Sequence, residues 1–282
     1  MASYKQITKK YSSLLKEVTH IPQKEVEILL LDILKENIIW LHINFTKECD
    51  IEVENKLKLS VKKRATSYPL EYIINKASFY GESFIVKEGV LIPRPETEIL
   101  VEKAEIILKT IINPKVVEVG VGSGIISVML ALLIPNIKII AVDINDNALS
   151  LAKQNAEKFN VEDKITFINS DIFKEINVKD FDMCISNPPY IQSNSKLPKN
   201  VNFEPSNALY GGTVGDELLK DIVSNTIKNN IKYLLCEMGY DQKASMQRYI
   251  NQFDVKSLEF YKDYDKFDRG FIVEFKEDKN AK

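Results

Sequence analysis

A rigid polar corner follows one of the apolar segments in the middle of the chain. Residues 181–186 predict a buried strand that runs directly into Asn187-Pro188-Pro189-Tyr190. The prolines fix φ at about −65° and carry no N–H, so the carbonyls of Asn187 and Pro188 stay free to accept hydrogen bonds. The Asn187 side-chain oxygen is a further acceptor, and Tyr190 offers a flat face. The corner therefore predicts a site that grips both hydrogens of a planar –NH2 group; the alternative is an ordinary turn after a strand.

A glycine-rich turn precedes this corner in the chain. A strand ending at Val119 leads into the turn, and an apolar helix follows it, so its backbone can approach a ligand beside free helix N–H groups. The spacing is G-x-G-x-G and not the dinucleotide fingerprint G-x-G-x-x-G, which disfavours a pyrophosphate ligand and a nicotinamide-dependent oxidoreductase. The candidate cofactor-binding residues of the turn are Gly120, Val121, Gly122, Ser123 and Gly124.

Two acidic residues end the next two predicted strands. Asp143 follows the strand 138–142, about twenty residues past the glycines, where a carboxylate can bind both ribose hydroxyls. Asp171 follows the strand 165–168, a position that suits the exocyclic amine of adenine, with Ile172 beside it. Either acid alone could be a helix cap or a turn residue. Together they predict an adenosine without a pyrophosphate next to the corner at Asn187, and hence S-adenosylmethionine as the cofactor.

Two patterns of hydrophobicity divide the chain. The first seventy or so residues carry apolar side chains at helical spacing, and a strand-like segment that turns at Gly81-Glu82 follows them. From about residue 94 to 251 strands alternate with helices, which predicts a parallel sheet, and residues 255–261 and 270–275 predict a final antiparallel hairpin. The predicted domains are a helical substrate-recognition domain (1–75), a β-hairpin linker (76–93) and a catalytic domain (94–282).

Composition narrows the classes of protein that fit. With 282 residues, 45% of them hydrophobic, the chain can bury a full core and one more small domain. The net charge of −2 lacks the basic excess of most nucleic-acid-binding proteins. The three cysteines (Cys49, Cys184, Cys236) are far apart, and the two histidines (His20, His42) lie outside the motifs, so we expect neither disulfides nor a metal site. No apolar run suggests a signal peptide or a membrane span, which predicts a cytoplasmic protein without a membrane partner.

Further motifs are spread along nearly the whole chain. Together with the glycine turn they are Pro69 to Ile73, Val90 to Glu98, Asn187 to Tyr190, Glu204-Pro205, Ala208 to Gly212, Glu237 to Gly239 and Asp268-Arg269. Through these motifs the chain resembles the protein-(glutamine-N5) methyltransferases of peptide chain release factors, the HemK family, over nearly its whole length. The run Pro95-Glu96-Thr97-Glu98 favours that branch over the relative that acts on a ribosomal protein.

The resemblance implies a fold and a reaction. The fold is a seven-stranded Rossmann-like S-adenosylmethionine-dependent methyltransferase domain with a terminal antiparallel hairpin, next to a small N-terminal helical domain. The acceptor is the glutamine of the Gly-Gly-Gln motif in class 1 release factors. Catalytic and substrate-binding roles fall on Asn187, Pro188, Pro189 and Tyr190, and Arg94 and Glu96 are further candidates for substrate binding.

The chain departs from the family pattern at two places. Gly212 leads into Thr213-Val214-Gly215-Asp216-Glu217 where the family usually has Asp-Gly-Leu, and Ile172 stands where some relatives carry an aromatic residue. We therefore expect altered local substrate contacts and an adenine that rests on an aliphatic surface.

Two other functions are compatible with the motifs. The Asn187 corner could equally hold the exocyclic amine of a flipped adenine or guanine, although the missing basic excess argues against a nucleic-acid substrate. A non-catalytic binding module on the same fold is the second alternative, and the intact glycine, aspartate and asparagine set argues against it.

Overall fold

A computed structural model describes residues 2–276, which divide into two compact units. Residues 2–76 and 197–203 form the first unit, and residues 77–196 and 204–276 form the second. The predicted domain boundaries after residues 75 and 93 stay predictions. Among the helices of residues 2–276, none combines the length and the apolar character needed to cross a membrane.

The first unit consists of helices whose beginnings the sequence encodes. The helices are α1 (Tyr4–Ser12), a 3-10 turn (Ser13–Leu15), α2 (Pro22–Leu34), α3 (Ile38–Ile43), α4 (Ile51–Arg64) and α5 (Leu70–Ile74). The Ser3 hydroxyl caps α1 in a reciprocal pair with Gln6, Pro22 opens α2, and the Asp50 carboxylate caps α4. Apolar residues at helical spacing predict helices over residues 4–18, 24–35 and 51–67, so the end of the first α-helix was predicted too late and α3 and α5 were not identified.

The apolar faces of these helices enclose a core that contains one ion pair. Ile7, Leu30 and Leu57 are fully buried in it. Beside them the Arg64 guanidinium donates to both carboxylate oxygens of Glu25, at 2.6 and 3.1 Å. Both side chains are buried, so removing either partner would leave an uncompensated charge inside the unit.

A short hairpin comes next in the chain. Strands β1 (Lys76–Phe79) and β2 (Glu82–Ile85) are joined by Tyr80 and Gly81, whose φ angles are 57° and 77°. Positive φ at both central residues is the geometry of a type I′ turn. The predicted turn at Gly81-Glu82 was therefore wrong by one residue. Phe79 and Phe84 are fully buried in the core of the second unit.

A seven-stranded sheet organises the second unit, as predicted. The strand order is β10-β11-β9-β6-β3-β4-β5, with β11 antiparallel to both neighbours and the other pairs parallel. The elements are α6 (Thr97–Leu108), β3 (Lys115–Val119), α7 (Ile125–Leu133), β4 (Lys138–Asp143), α8 (Asp146–Lys158), β5 (Ile165–Asn169), β6 (Met183–Ser186), β7 (Ile191–Gln192), β8 (Tyr210–Gly212), α9 (Glu217–Lys228), β9 (Tyr233–Glu237), α10 (Lys243–Ile250), β10 (Val255–Lys262) and β11 (Asp268–Phe275).

The order of the strands decides where a ligand can bind. After β3 the chain adds β4 and β5 on one side and then returns to place β6 on the other side of β3. Helices cover both faces, so the central strands are largely apolar; Val116, Val117 and Cys184 are fully buried. A sheet of this type binds ligands beyond the carboxyl ends of its strands at such a switch point. Val119, Asp143 and Ser186 end their strands at this edge.

Candidate active site

The turn after β3 adopts a conformation that requires glycine. Gly120, Gly122 and Gly124 have φ angles of 74°, 54° and 81°, a region that other residues rarely adopt. At Gly124 space is also limiting, because an added Cβ would lie 2.9 Å from the Cβ of Ala152 on α8. The glycines therefore let β3 turn directly into α7 and let that helix pack closely against α8.

The Asp143 carboxylate ends β4 beside this turn. Its Oδ2 accepts a hydrogen bond from the Gly122 N–H at 3.0 Å, and its Oδ1 accepts one from the Asn145 N–H at 2.9 Å. Burial raises the pKa of Asp143, and the backbone donors of Gly122 and Asn145 oppose that rise. A carboxylate has about four acceptor sites, so beside its backbone donors, which include Ile144, Asp143 keeps capacity to accept from ligand hydroxyl groups.

A cavity of about 190 Å³, the large cavity of the site, lies at this edge of the sheet. It brings together the predicted positions Gly120, Gly122, Asp143, Asp171, Ile172, Asn187 and Pro189. Leu91 and Pro205 also line it. The Asp171 side chain is 53% exposed and pairs with Lys174, so its carboxylate stands at the solvent side of the cavity. The binding roles of these residues stay predictions.

A smaller cavity of about 40 Å³ adjoins the glycine turn and contains a buried acid. Val121, Ser123, Arg94 and Asn187 line it together with Glu118 of β3. Oε2 of Glu118 accepts hydrogen bonds from the backbone N–H and the hydroxyl of Ser127. Burial outweighs those bonds and raises the pKa of Glu118 to about 8. A carboxyl group with that pKa can take up negative charge when a cation binds nearby.

The corner after β6 leaves two oxygens unused. The Asn187 side chain donates from Nδ2 to Oγ1 of Thr97 at 3.0 Å. Within residues 2–276, no group donates a hydrogen bond to Oδ1 of Asn187 or to the carbonyl of the buried Pro188. Because Asn187 lines both cavities, its free acceptor stands where the glycine turn and Asp143 also converge.

Tyr190 is held from both ends. Its hydroxyl donates to Oε1 of Glu237 at 3.0 Å, and its carbonyl accepts from Nε2 of Gln242 at 2.8 Å. Burial, followed by the charge of Glu237, raises the pKa of Tyr190, so the hydroxyl is a neutral donor. Behind the corner, a Cβ on Gly211 would lie 2.4 Å from the Pro189 carbonyl oxygen. There is therefore no room for a side chain at Gly211, where β8 packs directly against the backbone of the corner.

The two other predicted substrate-binding residues lie before α6. Arg94 donates from Nη2 to Oε1 of Glu204 at 2.6 Å, and Oε2 of Glu204 accepts from the Ile92 N–H at 3.0 Å. The Arg94 side chain is still 31% exposed and lines the smaller cavity. Glu96 is the residue that precedes α6 and lines neither of the two cavities. Substrate binding by Arg94 and Glu96 stays a prediction.

Sequence reasoning missed three polar residues of the site. Thr97 and Glu237 were visible only as members of family motifs, without a role. Glu118 could have been noticed as a carboxylate inside an otherwise apolar strand, since such a group is buried and needs a reason. The contacts of Thr97 with Asn187 had no sequence signal, because 90 residues separate them.

The fold and the site define the class of this protein. A glycine turn after β3, an acid at the end of β4 and a parallel sheet with a final hairpin are the parts of a Rossmann-like methyltransferase, and the family model of the methyltransferase small domain matches residues 96–202. The PrmC N-terminal domain model matches residues 6–74. The chain belongs to the release factor glutamine methyltransferase family and is an enzyme of that family.

Relatives of that name resemble the chain over most of its length. The protein of Buchnera aphidicola is 35% identical over 92% of this chain and 95% of its own. That of Dictyoglomus turgidum is 38% identical over 85% and 86%, and that of Aquifex aeolicus is 32% identical over 94% and 95%. The coverage of both chains extends the likeness across the helical unit and the sheet.

Solved structures of low identity share the fold. The hMettl16 catalytic domain in complex with a MAT2A 3′UTR hairpin aligns with a TM-score of 0.59 at 17% identity, covering 78% of this chain and 83% of that one. The N-terminal domain of human METTL16 in complex with SAH aligns with a TM-score of 0.50 at 14% identity, covering 89% and 93%. At this identity the likeness concerns the methyltransferase fold alone.

Proposed function

We propose that this protein transfers the methyl group of S-adenosylmethionine to the side-chain amide nitrogen N5 of the glutamine in the Gly-Gly-Gln motif of class 1 peptide chain release factors. The observation that carries the proposal is that Asn187 lines the same cavity as Gly120 and Asp143 and that, within residues 2–276, its Oδ1 and the carbonyl of the buried Pro188 accept no hydrogen bond. The names of the relatives support the same substrate.

The residues of the large cavity fit the cofactor. Asp143 keeps acceptor capacity for ribose hydroxyls, the glycine turn leaves backbone surface open, and Ile172 offers an aliphatic surface to a flat ring. Added Cβ atoms at Gly120 and Gly122 would meet nothing within 4 Å, so the space above the turn is open to a ligand. When bound, S-adenosylmethionine supplies an electrophilic methyl group.

The corner residues address the poor reactivity of an amide. The nitrogen lone pair of a glutamine side chain is delocalised into its carbonyl. If the two –NH2 hydrogens are given to Asn187 Oδ1 and the Pro188 carbonyl, the lone pair is directed away from the corner and the developing positive charge is stabilised. The new N–C bond replaces the bond from the methyl group to sulfur, and the amide proton leaves to water. A strong general base is unnecessary, because the alkylated nitrogen is acidic.

The helical unit is the proposed recognition element for the protein substrate. It matches the PrmC N-terminal domain, and it has its own core around Leu30 and the Glu25–Arg64 pair. Such a unit can bind a release factor at a surface away from the glutamine. We place the reaction in the cytoplasm, with no membrane partner and no stable nucleic-acid partner.

Mass spectrometry of a release factor tests the proposal. Incubation with the enzyme and the cofactor should add one methyl group to the glutamine of the Gly-Gly-Gln motif, and a factor with glutamate at that position should gain none. DNA and ribosomal RNA are incubated in parallel. Methylation of a nucleic-acid amine with an unmodified release factor would replace the proposed substrate, and no transfer to any of them would support a non-catalytic module.

A further inference from the structure

We propose that Thr97 and Glu237 are positioning residues that fix which end of the Asn187 amide meets the acceptor, and that they thereby restrict the site to groups that donate two hydrogens. The inference rests on the proposed function, because it concerns the orientation of the acceptor nitrogen.

A chain of hydrogen bonds runs from the corner to a buried carboxylate. Asn187 Nδ2 lies 3.0 Å from Thr97 Oγ1, and Thr97 Oγ1 lies 2.7 Å from Glu237 Oε2. The other carboxylate oxygen of Glu237 accepts from the Tyr190 hydroxyl at 3.0 Å. Glu237 and Thr97 are buried, with 1% and 0% of their surfaces exposed, so solvent does not compete for these bonds.

The charge of the carboxylate determines the direction of every bond in the chain. An ionised carboxylate only accepts, so the single hydroxyl proton of Thr97 is given to Glu237. The Thr97 oxygen can then only accept from Asn187, and the only donor of an asparagine side chain is its nitrogen. Oδ1 of Asn187 is consequently the end that faces the acceptor. The orientation of the Asn187 amide is therefore set by which of the three side chains can donate a hydrogen.

The surroundings of Glu237 favour this charged state in part. Arg269 of β11 carries the nearby positive charge, and its Nε and Nη2 donate to Asp263 at 3.0 and 2.7 Å. The negative charge of Glu96 opposes ionisation of Glu237, and the Tyr190 hydroxyl donates a hydrogen bond that favours it. Tyr261 is close enough for the charge of Glu237 to raise its pKa. Burial still raises the pKa of Glu237, ahead of the opposing hydrogen bonds from Thr97 and Tyr190.

Loss of the charge on the Glu237 carboxylate allows the hydrogen bonds from Glu237 through Thr97 to Asn187 to reverse their donor–acceptor direction. A protonated Glu237, or a glutamine in its place, can donate to the Thr97 oxygen. The Thr97 proton is then free to point at Asn187, whose amide turns its oxygen toward Thr97 and its nitrogen toward the acceptor. A donor would then face the acceptor –NH2, and the grip on it would be lost.

Three variants test the inference in the full-length enzyme. Thr97→Val removes the hydroxyl at nearly constant volume, Thr97→Ser keeps it, and Glu237→Gln keeps the shape but can donate. Thr226→Val is the matched control, because Thr226 is equally buried, its hydroxyl donates to the Ile222 carbonyl of its own helix beside the Cys184 thiol, and it lines neither cavity. Turnover with a release factor, cofactor affinity by calorimetry and thermal unfolding are measured for each.

We expect Thr97→Val and Glu237→Gln to lower kcat about 10²-fold, as for the loss of one oriented group in a catalytic site. Thr97→Ser should retain most of the activity, and cofactor affinity should stay within about twofold, because neither residue lines the large cavity. Normal kcat in Thr97→Val would overturn the inference. A loss of kcat in Thr97→Ser as large as in Thr97→Val would also overturn it, since the hydroxyl would then not be the cause.

The pH dependence gives a readout that a merely structural role would not change. Below the pKa of Glu237 the carboxyl can donate, so kcat of the wild-type enzyme should fall as the pH is lowered, at a pH above the ordinary glutamate value of about 4.5. This fall in kcat at low pH should be missing in Glu237→Gln. An identical fall in both enzymes would contradict the inference.

If Thr97→Val and Asn187→Ala both kept full activity, the proposed function itself would fail. If only Asn187→Ala lost activity, the result would refute the role of Thr97 and Glu237 and leave the proposed function standing.

Discussion

The backbone N–H of Gly122 donates to Oδ2 of Asp143 at 3.0 Å and so connects the glycine turn after β3 with the end of β4. The two residues are 21 positions apart, and both face the large cavity. The hydrogen bond fixes the carboxylate relative to the turn before any ligand arrives. A ribose that binds there meets acceptors that are already oriented, which reduces the entropy lost on binding.

Replacing Asp143 should weaken cofactor binding. Asp143→Ala removes the carboxylate that we propose to accept hydrogen bonds from the ribose, and we expect this to cost about 1.5–3 kcal/mol, or roughly 10- to 150-fold in the dissociation constant. Isothermal titration calorimetry with S-adenosylmethionine measures this, with Asp163→Ala, an exposed aspartate of the same unit, as the control. Equal affinities in the variant and the wild type would remove Asp143 from the binding site.

Replacing Asn187 should affect turnover more than cofactor binding. Asn187→Ala deletes the acceptor Oδ1, and we expect kcat to fall about 10²-fold or more, since that contact is strongest when the nitrogen becomes positively charged. Asn187→Asp keeps an acceptor but loses the Nδ2 donor to Thr97 and brings a second carboxylate near Glu237, so it should also be inactive. Single-turnover methyl transfer to a purified release factor is the measurement. Near-normal rates in Asn187→Ala would exclude the assigned role.

The buried carboxyl of Glu118 should make stability depend on pH. Its pKa is about 4.5 in the unfolded chain and about 8 in the folded protein, so the folded state binds the proton more tightly between these values. The associated stabilisation is complete below pH 4.5 and is lost as the pH rises through 8. At about 1.4 kcal/mol per pKa unit, the free energy of unfolding should fall by at least ~2 kcal/mol from pH 5 to pH 9 through this group.

Urea unfolding of the cofactor-free protein across that pH range checks the expectation. Glu118→Gln has no proton to lose, so its stability should decline less between pH 5 and pH 9 than that of the wild type. Parallel curves for the two proteins would show that Glu118 is ionised in the folded state. The same group predicts that binding of the cationic cofactor releases a proton near pH 7, which calorimetry in buffers of different ionisation enthalpy detects.

A single methyl group on Gly211 should disturb the corner. Its Cβ would lie 2.4 Å from the Pro189 carbonyl oxygen, 2.5 Å from the Gly215 carbonyl oxygen and 2.9 Å from Cα of Tyr190. All three are backbone atoms, so the strand or the corner must shift, at a cost of about 1–3 kcal/mol. We expect Gly211→Ala to lower the melting temperature by several degrees and kcat by at least tenfold, with cofactor affinity nearly kept. Wild-type kcat in this variant would mean that β8 does not support the corner.

The sequence by itself determined the class of fold and located the main motifs. Alternating strands and helices, a G-x-G-x-G turn and acids at strand ends are local patterns, and each is imposed by backbone geometry within a few residues. The helix beginnings at Ser3, Pro22 and Asp50 were equally local. The final hairpin followed from two strand-like runs joined by a charged loop, and the structure confirms it.

Only the tertiary structure decided how the corner is held. Thr97 starts α6, Asn187 follows β6 and Glu237 ends β9, and the strand order together with the packing of α6 brings these distant positions into contact. The hairpin turn was misplaced by one residue because Tyr80 adopts a positive φ, which is uncommon for a tyrosine and cannot be predicted from its side chain. The orientation of the Asn187 amide depends on which neighbour can donate a proton. That property belongs to a buried network across three elements, and no local pattern in the sequence encodes it.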